Sequence, residues 1–212
     1  MQGITNLVRR AGQYIIKFIV LGTLKINIRG KENISDIPKA LIVSNHESYL
    51  DVFVLGHPFF KYGLKLRWVI SKANYRLWYL KWLYFLWPVI PVNGTVEKIK
   101  KAFEKDLWVV IFPEGDQRWC HPVEVSKKRP GRGAAVVALS TGVPIIPVGI
   151  SGAKKVLPIH SFHLDRHYEI TVSVGKPFRY DVVEESKISD DLLNLTIEDM
   201  KTKVKSLVED LS

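Results

Sequence analysis

Cysteine is scarce in this sequence, in which Cys120 is the only one among 212 residues. A single cysteine cannot form a disulfide within the chain, and such low usage is typical of proteins from a reducing compartment. No group of cysteine and histidine residues has the spacing of zinc ligands, so we expect no metal site. These absences argue against a disulfide-stabilised secreted domain and against a zinc-dependent fold.

Uninterrupted apolar runs long enough to cross a membrane are also lacking. A span needs about 20 apolar residues, but Lys17 interrupts the first candidate segment and Lys81 interrupts the second. The stretch "RRAGQYIIKFIVLGTL" begins with charges, as a secretory signal does, yet no A-x-A cleavage site follows it. We therefore expect neither a membrane-spanning helix nor a secretory signal.

Acidic residues are few in the first half of the chain. Residues 1–110 hold 17 Lys and Arg against 7 Asp and Glu, whereas residues 111–212 hold 14 of each, so the first half carries the whole net charge of +10. Such a basic half favours an anionic partner, either a phosphorylated substrate or an acidic lipid surface. Nucleic acid is not among the predicted partners, because no recognised nucleic-acid motif accompanies the charge.

The segment 1–24 has the periodicity of an amphipathic helix. Its apolar residues recur at helical spacing, at Ile4, Leu7, Val8, Ala11, Tyr14, Ile15, Phe18 and Leu21. Its polar positions include Arg9, Arg10 and Lys17. A helix with a basic polar face is typical of segments that lie in a membrane interface. The alternative is a helix that packs on the protein's own core.

A second segment, "RLWYLKWLYFLWPVIP" at 76–91, is unusually aromatic. Its Trp78, Trp82 and Trp87, together with the neighbouring tyrosines and Phe85, cover more than one face of a helix. One face would then be exposed and apolar beside lysine and arginine, which suits a membrane interface. Lining of an acyl pocket and ordinary core packing are the alternatives.

Residues 25–212 alternate between strand-like and helix-like segments. This pattern predicts a single α/β domain with a largely parallel central sheet flanked by helices. The late segment "YEITVSVGKPF" alternates in polarity and is predicted to be an edge strand. In such sheets, sites form beyond the carboxyl ends of the strands. Three predicted strands end in polar or glycine-rich stretches, namely "LIVSNHESYLD", "VVIFPEGDQRW" and "VPIIPVGISG".

The first of these stretches contains His46 and Asp51, five residues apart. Ser44 and Glu47 have the spacing of a capping box, which predicts that a helix begins here with His46 in or beside its first turn. A bend at the helix start would let the Asp51 carboxylate reach one imidazole nitrogen and leave the second nitrogen to accept a proton. The alternative is a capping histidine beside an ordinary helical aspartate.

These motifs, in this order, resemble those of the PlsC-like glycerolipid acyltransferases, the 1-acylglycerol-3-phosphate acyltransferases. The family's NHxSxxD block is filled by Asn45, His46, Ser48 and Asp51. Its FPEG block is matched by 112–115 and its VPIVPV-type strand by 143–148. The resemblance implies acyl transfer from acyl-CoA or acyl carrier protein to a lysophospholipid hydroxyl.

In that reaction the resemblance makes His46 the general base and Asp51 the residue that orients it. No covalent intermediate is needed, because the hydroxyl is itself the nucleophile. No metal or bound cofactor is expected beyond the acyl thioester, which is a co-substrate. Cys120, near FPEG, is a candidate nucleophile only in an alternative reading. The predicted location is the cytoplasmic face of the cell membrane, as a peripheral or monotopic protein.

The remaining motif residues are predicted to bind substrate: Asn45, Ser48, Phe112, Pro113, Glu114 and Gly115. Glu114 would hold the glycerol-phosphate acceptor, with a purely structural anchor as the alternative. The family's second block commonly ends in an arginine that binds phosphate, but this chain has Asn93 and Gly94 there. The FPEG block also has its arginine one residue late. The cations proposed to replace the missing charge are Lys72, Lys98, Lys101, Arg118 and Arg132.

Two alternatives to lysophosphatidate acylation stay open from the sequence. The acceptor could be a different lysolipid, since both departures from the family pattern affect phosphate recognition. The chain could also be a non-enzymatic protein that binds anionic lipid on the same fold, although the intact His46, Asp51 and Glu114 argue against it.

Overall fold

The computed structural model describes residues 11–12, 22–61, 63–76, 78, 81–92, 95–113, 131–158, 161 and 163–209. In this part of the chain the strands are β1 (Lys25–Arg29), β2 (Leu41–Ser44), β3 (Leu66–Ile70), β4 (Val89–Pro91), β5 (Trp108–Ile111), β6 (Ile145–Ser151) and β7 (Glu169–Val174). The helices are α1 (Asp51–Lys61), α2 (Lys72–Arg76), α3 (Lys81–Leu86), α4 (Thr95–Phe103), α5 (Arg132–Thr141), α6 (Ala153–Val156) and α7 (Asp190–Glu209). Short 3-10 turns cover Lys31–Ile34 and Glu185–Lys187.

Within the described residues the strands form one seven-stranded sheet in the order β1-β7-β6-β2-β5-β3-β4. The five strands from β6 to β4 run parallel to one another. Strand β7 pairs antiparallel with β6 and parallel with β1. The predicted α/β class and largely parallel sheet are therefore confirmed.

The central strands are buried on both faces, as continuous apolar runs such as "LIVS" and "WVVI" require. Alternate side chains of β2 and β5 pack into two different hydrophobic cores, one on each face of the sheet. Ile42 and Val110 pack with α1, α3 and α6 on one face, which we call the α1 face. Leu41 and Val109 pack with α4, α5 and α7 on the opposite face, which we call the α5 face.

Helix α5 packs its small residues into the core of the α5 face and against α7. Ala134 and Ala138 are buried against the α5-face core, while Ala135 packs in a small cluster with residues of α7. The helix ends at Gly142, whose φ of 59° is left-handed and suits a glycine at this position. The chain then turns directly into β6.

Some predicted elements differ from the structure. Strand β7 is not an edge strand, because β1 lies outside it, and its alternating pattern reflects one partly exposed face. The aromatic segment is not one helix, because it begins at the last residue of α2 and contains α3 and then strand β4. The segment "ESYLDVFVLGHPFF" predicts a helix that ends near Gly56 and Pro58, but helix α1 continues to Lys61.

The predicted N-terminal helix, 1–24, lies mostly outside the described residues. Ala11 and Gly12 are helical. A methyl group added at Gly12 would lie 2.6 Å from a side-chain carbon of Leu86, so this helical turn approaches α3 closely. The boundary between segments 1–24 and 25–212 stays a prediction.

Candidate active site

The two predicted motif blocks meet where the direction of the chain connections reverses. Strands β2 and β5 are neighbours. The chain leaves β2 through α1 on one face and leaves β5 towards α5 on the other. A crevice opens between the carboxyl ends of two strands with diverging connections, and ligands of open α/β sheets bind there. His46 follows β2 at this point, and Phe112 follows β5.

His46 and Asp51 are in direct contact, as the sequence predicted. Nδ1 of His46 lies 2.8 Å from Oδ2 of Asp51. The histidine side chain is 12% exposed and the aspartate side chain is fully buried. A carboxylate at Nδ1 favours the tautomer in which that nitrogen carries the proton, which directs proton acceptance to Nε2.

The same carboxylate oxygen organises the loop that carries the histidine. Oδ2 of Asp51 also accepts hydrogen bonds from the backbone N–H groups of Glu47, at 2.5 Å, and Ser48, at 2.8 Å. The predicted capping box is therefore wrong: Ser44 is the last residue of β2, and α1 begins only at Asp51. His46 lies in the loop before the helix, and Asp51 itself satisfies the backbone donors there.

Asn45 and Ser48 bind backbone on the neighbouring strand and its following turn. The Asn45 amide donates to the Ile150 carbonyl and accepts from the Ile150 N–H, both at 2.8 Å. The Ser48 hydroxyl donates to the Leu157 carbonyl at 2.8 Å and accepts from the Leu50 N–H at 3.1 Å. Both side chains are buried, so the structure does not support the predicted substrate contacts of Asn45 and Ser48. Their partners, Ile150 and Leu157, were missed because main-chain groups leave no sequence signal.

Aromatic rings cover one face of the histidine. The Phe112 ring stacks on the His46 imidazole with centroids 4.3 Å apart and planes 19° from parallel. Behind it, the Trp68 ring of β3 lies 6.3 Å from Phe112 at 24°. The pattern of β3 indicates that Trp68 is buried, but not that it would stack behind a motif residue. Pro113, which follows Phe112, is buried beside Gly131.

The predicted phosphate-binding cations lie in different places. Lys72 is exposed and begins α2, two residues after β3, at the same edge of the sheet as His46. Arg132 begins α5, and its guanidinium donates to Asp190 of α7 at 2.7 Å. That ion pair joins two helices of the α5 face, and the predicted phosphate contact of Arg132 stays a prediction. Lys98 and Lys101 lie on α4, on the same face.

Several predicted residues lie outside the described residues. They are Asn93, Gly94, Glu114, Gly115, Arg118 and Cys120. Their assignments stay predictions.

A separate cavity of about 420 Å³ lies at the amino-terminal edge of the central strands. It is lined by residues that include Lys39, Gly142 and Arg179. Lys39 donates to the Phe103 carbonyl and Arg179 to the Gly142 carbonyl, so both cations are bound to backbone. The cavity is at the end of the sheet opposite the His46–Asp51 pair. We assign the candidate active site to this pair and not to the cavity, because the pair has the chemistry of a general base.

The surface formed by α2, α3 and Trp78 combines aromatic and basic side chains. Trp78 is 78% exposed and Trp82 is 60% exposed. The exposed cations of this surface are Lys72, Arg76 and Lys81. In contrast, Trp87 is buried and packs edge-on against Phe53. The aromatic segment therefore divides between core and surface, as one of the predicted interpretations required.

The described residues also lack two kinds of feature. No helix among them is long and apolar enough to cross a membrane. No three His, Cys, Asp or Glu side chains in the same ranges are grouped so that they could hold a metal ion.

Comparison with known proteins points to one family. The family model described as Acyltransferase matches residues 25–151. The curated 1-acyl-sn-glycerol-3-phosphate acyltransferase LPAT1, chloroplastic, of Arabidopsis thaliana is 31% identical over 163 residues, which are 72% of this chain and 43% of the relative. The 1-acyl-sn-glycerol-3-phosphate acyltransferase of Pseudomonas aeruginosa is 28% identical over 138 residues, 61% of this chain and 50% of the relative. The chain thus spans about half the length, or less, of these relatives.

A solved structure has a similar fold. The 1-acyl-sn-glycerophosphate acyltransferase PlsC from Thermotoga maritima superimposes with a TM-score of 0.60 over 98% of this chain and 79% of that one, at 15% identity. At this identity the likeness concerns the fold alone.

Proposed function

This chain belongs to the acyltransferase family, and from that membership we propose that it transfers a fatty acyl group from an acyl thioester to the free hydroxyl of 1-acylglycerol-3-phosphate. The acceptor is the one named in its curated relatives. The donor is acyl-CoA or acyl carrier protein. The observation that carries the proposal is the His46–Asp51 pair at the carboxyl ends of the central strands.

In the proposed reaction, His46 acts as the general base. Its Nε2 takes the proton of the acceptor hydroxyl as the oxygen attacks the thioester carbonyl. The tetrahedral intermediate then collapses, the carbon–sulfur bond breaks, and the leaving thiolate takes the proton back from the imidazolium. An ester and a free thiol result, so the protein needs no covalent intermediate.

Asp51 serves two purposes in this mechanism. Its carboxylate sets the tautomer of His46 and stabilises the imidazolium formed during attack. Because two backbone N–H groups also donate to the carboxylate, its position is set before substrate binds. A preorganised charge costs no reorganisation during the reaction.

We assign Asn45 and Ser48 to holding the histidine loop against β6 and α6. Each side chain forms hydrogen bonds with the backbone of that neighbouring segment. We assign Glu114 and Gly115 to the acceptor side of the site, since they continue the chain beyond Phe112 and Pro113. The acceptor phosphate would be met by Arg118, with Lys72 as the second candidate.

We also propose that the enzyme works on the cytoplasmic face of the cell membrane. The surface of α2, α3 and Trp78 supports this, because tryptophan and lysine or arginine together suit the interface of an anionic bilayer. Gly12 lies close to Leu86, which supports a position beside α3 for the predicted N-terminal helix. The predicted interfacial helix and the aromatic surface would then share one side of the molecule.

The experiment that tests the reaction uses the purified chain with a panel of lysolipids and both donor types. Products are identified by mass spectrometry. We expect phosphatidate from 1-acylglycerol-3-phosphate, and none from the His46→Ala variant. A preference for monoacylglycerol would show that the phosphate is not recognised. If none of the acceptors yields product, the result would favour a non-enzymatic lipid-binding protein.

Arg118 is tested with the same assay. Arg118→Ala should raise the KM for the phosphorylated acceptor, since a hydrogen bond to a charged group is worth about 1.5–3 kcal/mol. It should affect monoacylglycerol much less. Equal loss with both acceptors would indicate a structural role for Arg118.

Membrane binding is tested by flotation with vesicles of neutral or anionic lipid. We expect stronger binding to the anionic vesicles, reduced by Trp82→Ala and by Lys81→Glu. Equal binding to both vesicle types that neither variant changes would contradict the membrane proposal.

A further inference from the structure

The Phe112 ring lies in direct contact with the imidazole of the proposed base. Its centroid is 4.3 Å from that of the His46 imidazole, and the two planes are 19° from parallel. This separation is slightly below the usual range of about 4.5–7 Å for aromatic pairs, so the rings are in close contact. Phe112 therefore lies against one face of the imidazole.

Phe112 is itself supported from behind. Trp68 is 2% exposed and lies nearly parallel to Phe112, at 6.3 Å between centroids. The three rings come from three neighbouring parts of the sheet: His46 follows β2, Phe112 follows β5, and Trp68 lies within β3. Because these strands are hydrogen-bonded side by side, the sheet holds the three rings in fixed positions relative to one another.

The hydrogen bond and the stack restrain different motions of the histidine. The Nδ1–Asp51 contact holds one ring atom but leaves the ring able to tilt about it. A flat ring against the imidazole face removes that tilt. Together the two contacts restrain the direction of Nε2, which is the atom that must meet the acceptor hydroxyl.

The stack also has an electrostatic consequence. The face of an aromatic ring carries partial negative charge and attracts a cation within about 6 Å of its centroid. Taking the substrate proton converts neutral imidazole to imidazolium directly over the Phe112 face. The attraction is therefore stronger in the transition state than before it, which is the condition for accelerating a reaction.

We propose that Phe112 is a positioning residue that holds the His46 imidazole in the plane needed for proton transfer and stabilises its charged form. The proposal rests on the proposed function of His46 as general base. It replaces the substrate contact that the sequence predicted for Phe112. It also gives the first residue of the FPEG motif a role separate from that of the glutamate.

The test compares Phe112→Leu with Phe112→Tyr in the full-length protein, with kcat and KM measured separately. Leucine keeps the apolar volume and removes the ring, while tyrosine keeps the ring. We expect Phe112→Leu to lower kcat by about tenfold to thirtyfold, the equivalent of one cation–π contact in a desolvated site, with KM nearly unchanged. Phe112→Tyr should retain most of the wild-type kcat.

A spectroscopic readout reports the stack without catalysis. The His46 ring protons, assigned by their absence in His46→Ala, should show an upfield ring-current shift in the wild type. The shift should persist in Phe112→Tyr and disappear in Phe112→Leu. Phe178→Leu is the matched control, since Phe178 also contacts a cation, with Lys203 Nζ 5.1 Å from its centroid, but lies on the α5 face. It should leave kcat unchanged.

Two results would overturn the proposal. One is a kcat in Phe112→Leu equal to that of the wild type, whether or not KM changes, and the other is an equal loss of kcat in the leucine and tyrosine variants. If Phe112→Leu unfolds below the assay temperature, Phe112→Met supplies the ringless variant. Failure of the base is recognised separately. Turnover retained by His46→Ala would refute the proposed function, whereas an inactive His46→Ala beside a fully active Phe112→Leu would refute only the role of Phe112.

Discussion

Two histidine–aspartate pairs in this protein have the same contact distance and opposite surroundings. His46 and Asp51 meet at 2.8 Å in the loop after β2, with side chains 12% and 0% exposed. His167 and Asp165 also meet at 2.8 Å, in the turn before β7, with side chains 96% and 33% exposed. By contact geometry alone the two pairs cannot be told apart.

Their environments separate them. Asp51 is held by backbone donors, and His46 is covered by the Phe112 ring. Oδ1 of Asp165 forms hydrogen bonds with the backbone N–H and with the ring Nδ1 of His167, which is two residues later in the same turn. Water competes with the exposed pair, and such pairs contribute little. Under the proposed mechanism, the burial and hydrogen bonding of Asp51, and not the contact distance, suit His46 to act as a base.

The largest expected difference comes from removing each histidine. His46→Ala should lower kcat/KM by about a hundredfold to ten-thousandfold, the usual contribution of a general base. His167→Ala, the matched control, should have wild-type activity. The measurement is steady-state kinetics with 1-acylglycerol-3-phosphate on variants shown by circular dichroism to be folded. Similar activities for the two variants would remove the distinction between the pairs.

Replacing each aspartate by asparagine sharpens the same comparison. Asp51→Asn removes the charge that stabilises imidazolium and puts an NH₂ group where Oδ1 is buried without a hydrogen-bond partner among the described residues. An unsatisfied buried donor costs about 1–3 kcal/mol, so we expect both severely reduced turnover and a lower melting temperature. Asp165→Asn should change neither. Thermal unfolding and turnover are measured on the same preparations, and a stable, active Asp51→Asn would contradict this account.

The anchor of the histidine loop should have an intermediate effect. Asn45→Ala leaves the buried N–H and carbonyl of Ile150 without their side-chain partner. We expect a loss of about 1–3 kcal/mol in the free energy of unfolding, because buried backbone groups are left unsatisfied. We also expect a lower kcat, because the loop that carries His46 is released. Chemical denaturation gives the stability, and Asn27→Ala, on the partly exposed β1, is the control. Unchanged unfolding in Asn45→Ala would show that the loop does not depend on this anchor.

The smallest effect concerns the exposed pair. The His167 backbone N–H, and then its ring, hold the pKa of Asp165 below its ordinary value. Since a lowered pKa favours the carboxylate, any stability from this pair is present above the ordinary pKa and is lost as pH falls through the folded one. His167→Ala keeps the backbone donor, so it should raise the pKa of Asp165 only part of the way, as measured by NMR titration. A full return would mean that the ring, and not the backbone, is the main cause.

Much of the fold could be predicted because local patterns specify it. The apolar runs at 41–44 and 108–111 predict buried parallel strands, and the amphipathic pattern of "TVEKIKKAFEKD" predicts helix α4. The order of the strands in the sheet could be predicted less well from the sequence. Strand β7 looks like an edge strand by alternation, but β1, from the start of the described sheet, pairs outside it. Long-range pairing of that kind has no local signature.

For the site, the sequence by itself determined which chemistry is available and roughly where. It places a histidine and an aspartate five residues apart after a buried strand, in a motif whose family resemblance implies acyl transfer. Only the tertiary structure decided what the neighbouring residues do. Asn45 and Ser48 bind main chain more than 100 positions away, Arg132 pairs with Asp190, and Phe112 stacks on His46. The physical reason is that residue type sets what a side chain can bond, whereas the packing of distant strands sets which partner is within reach.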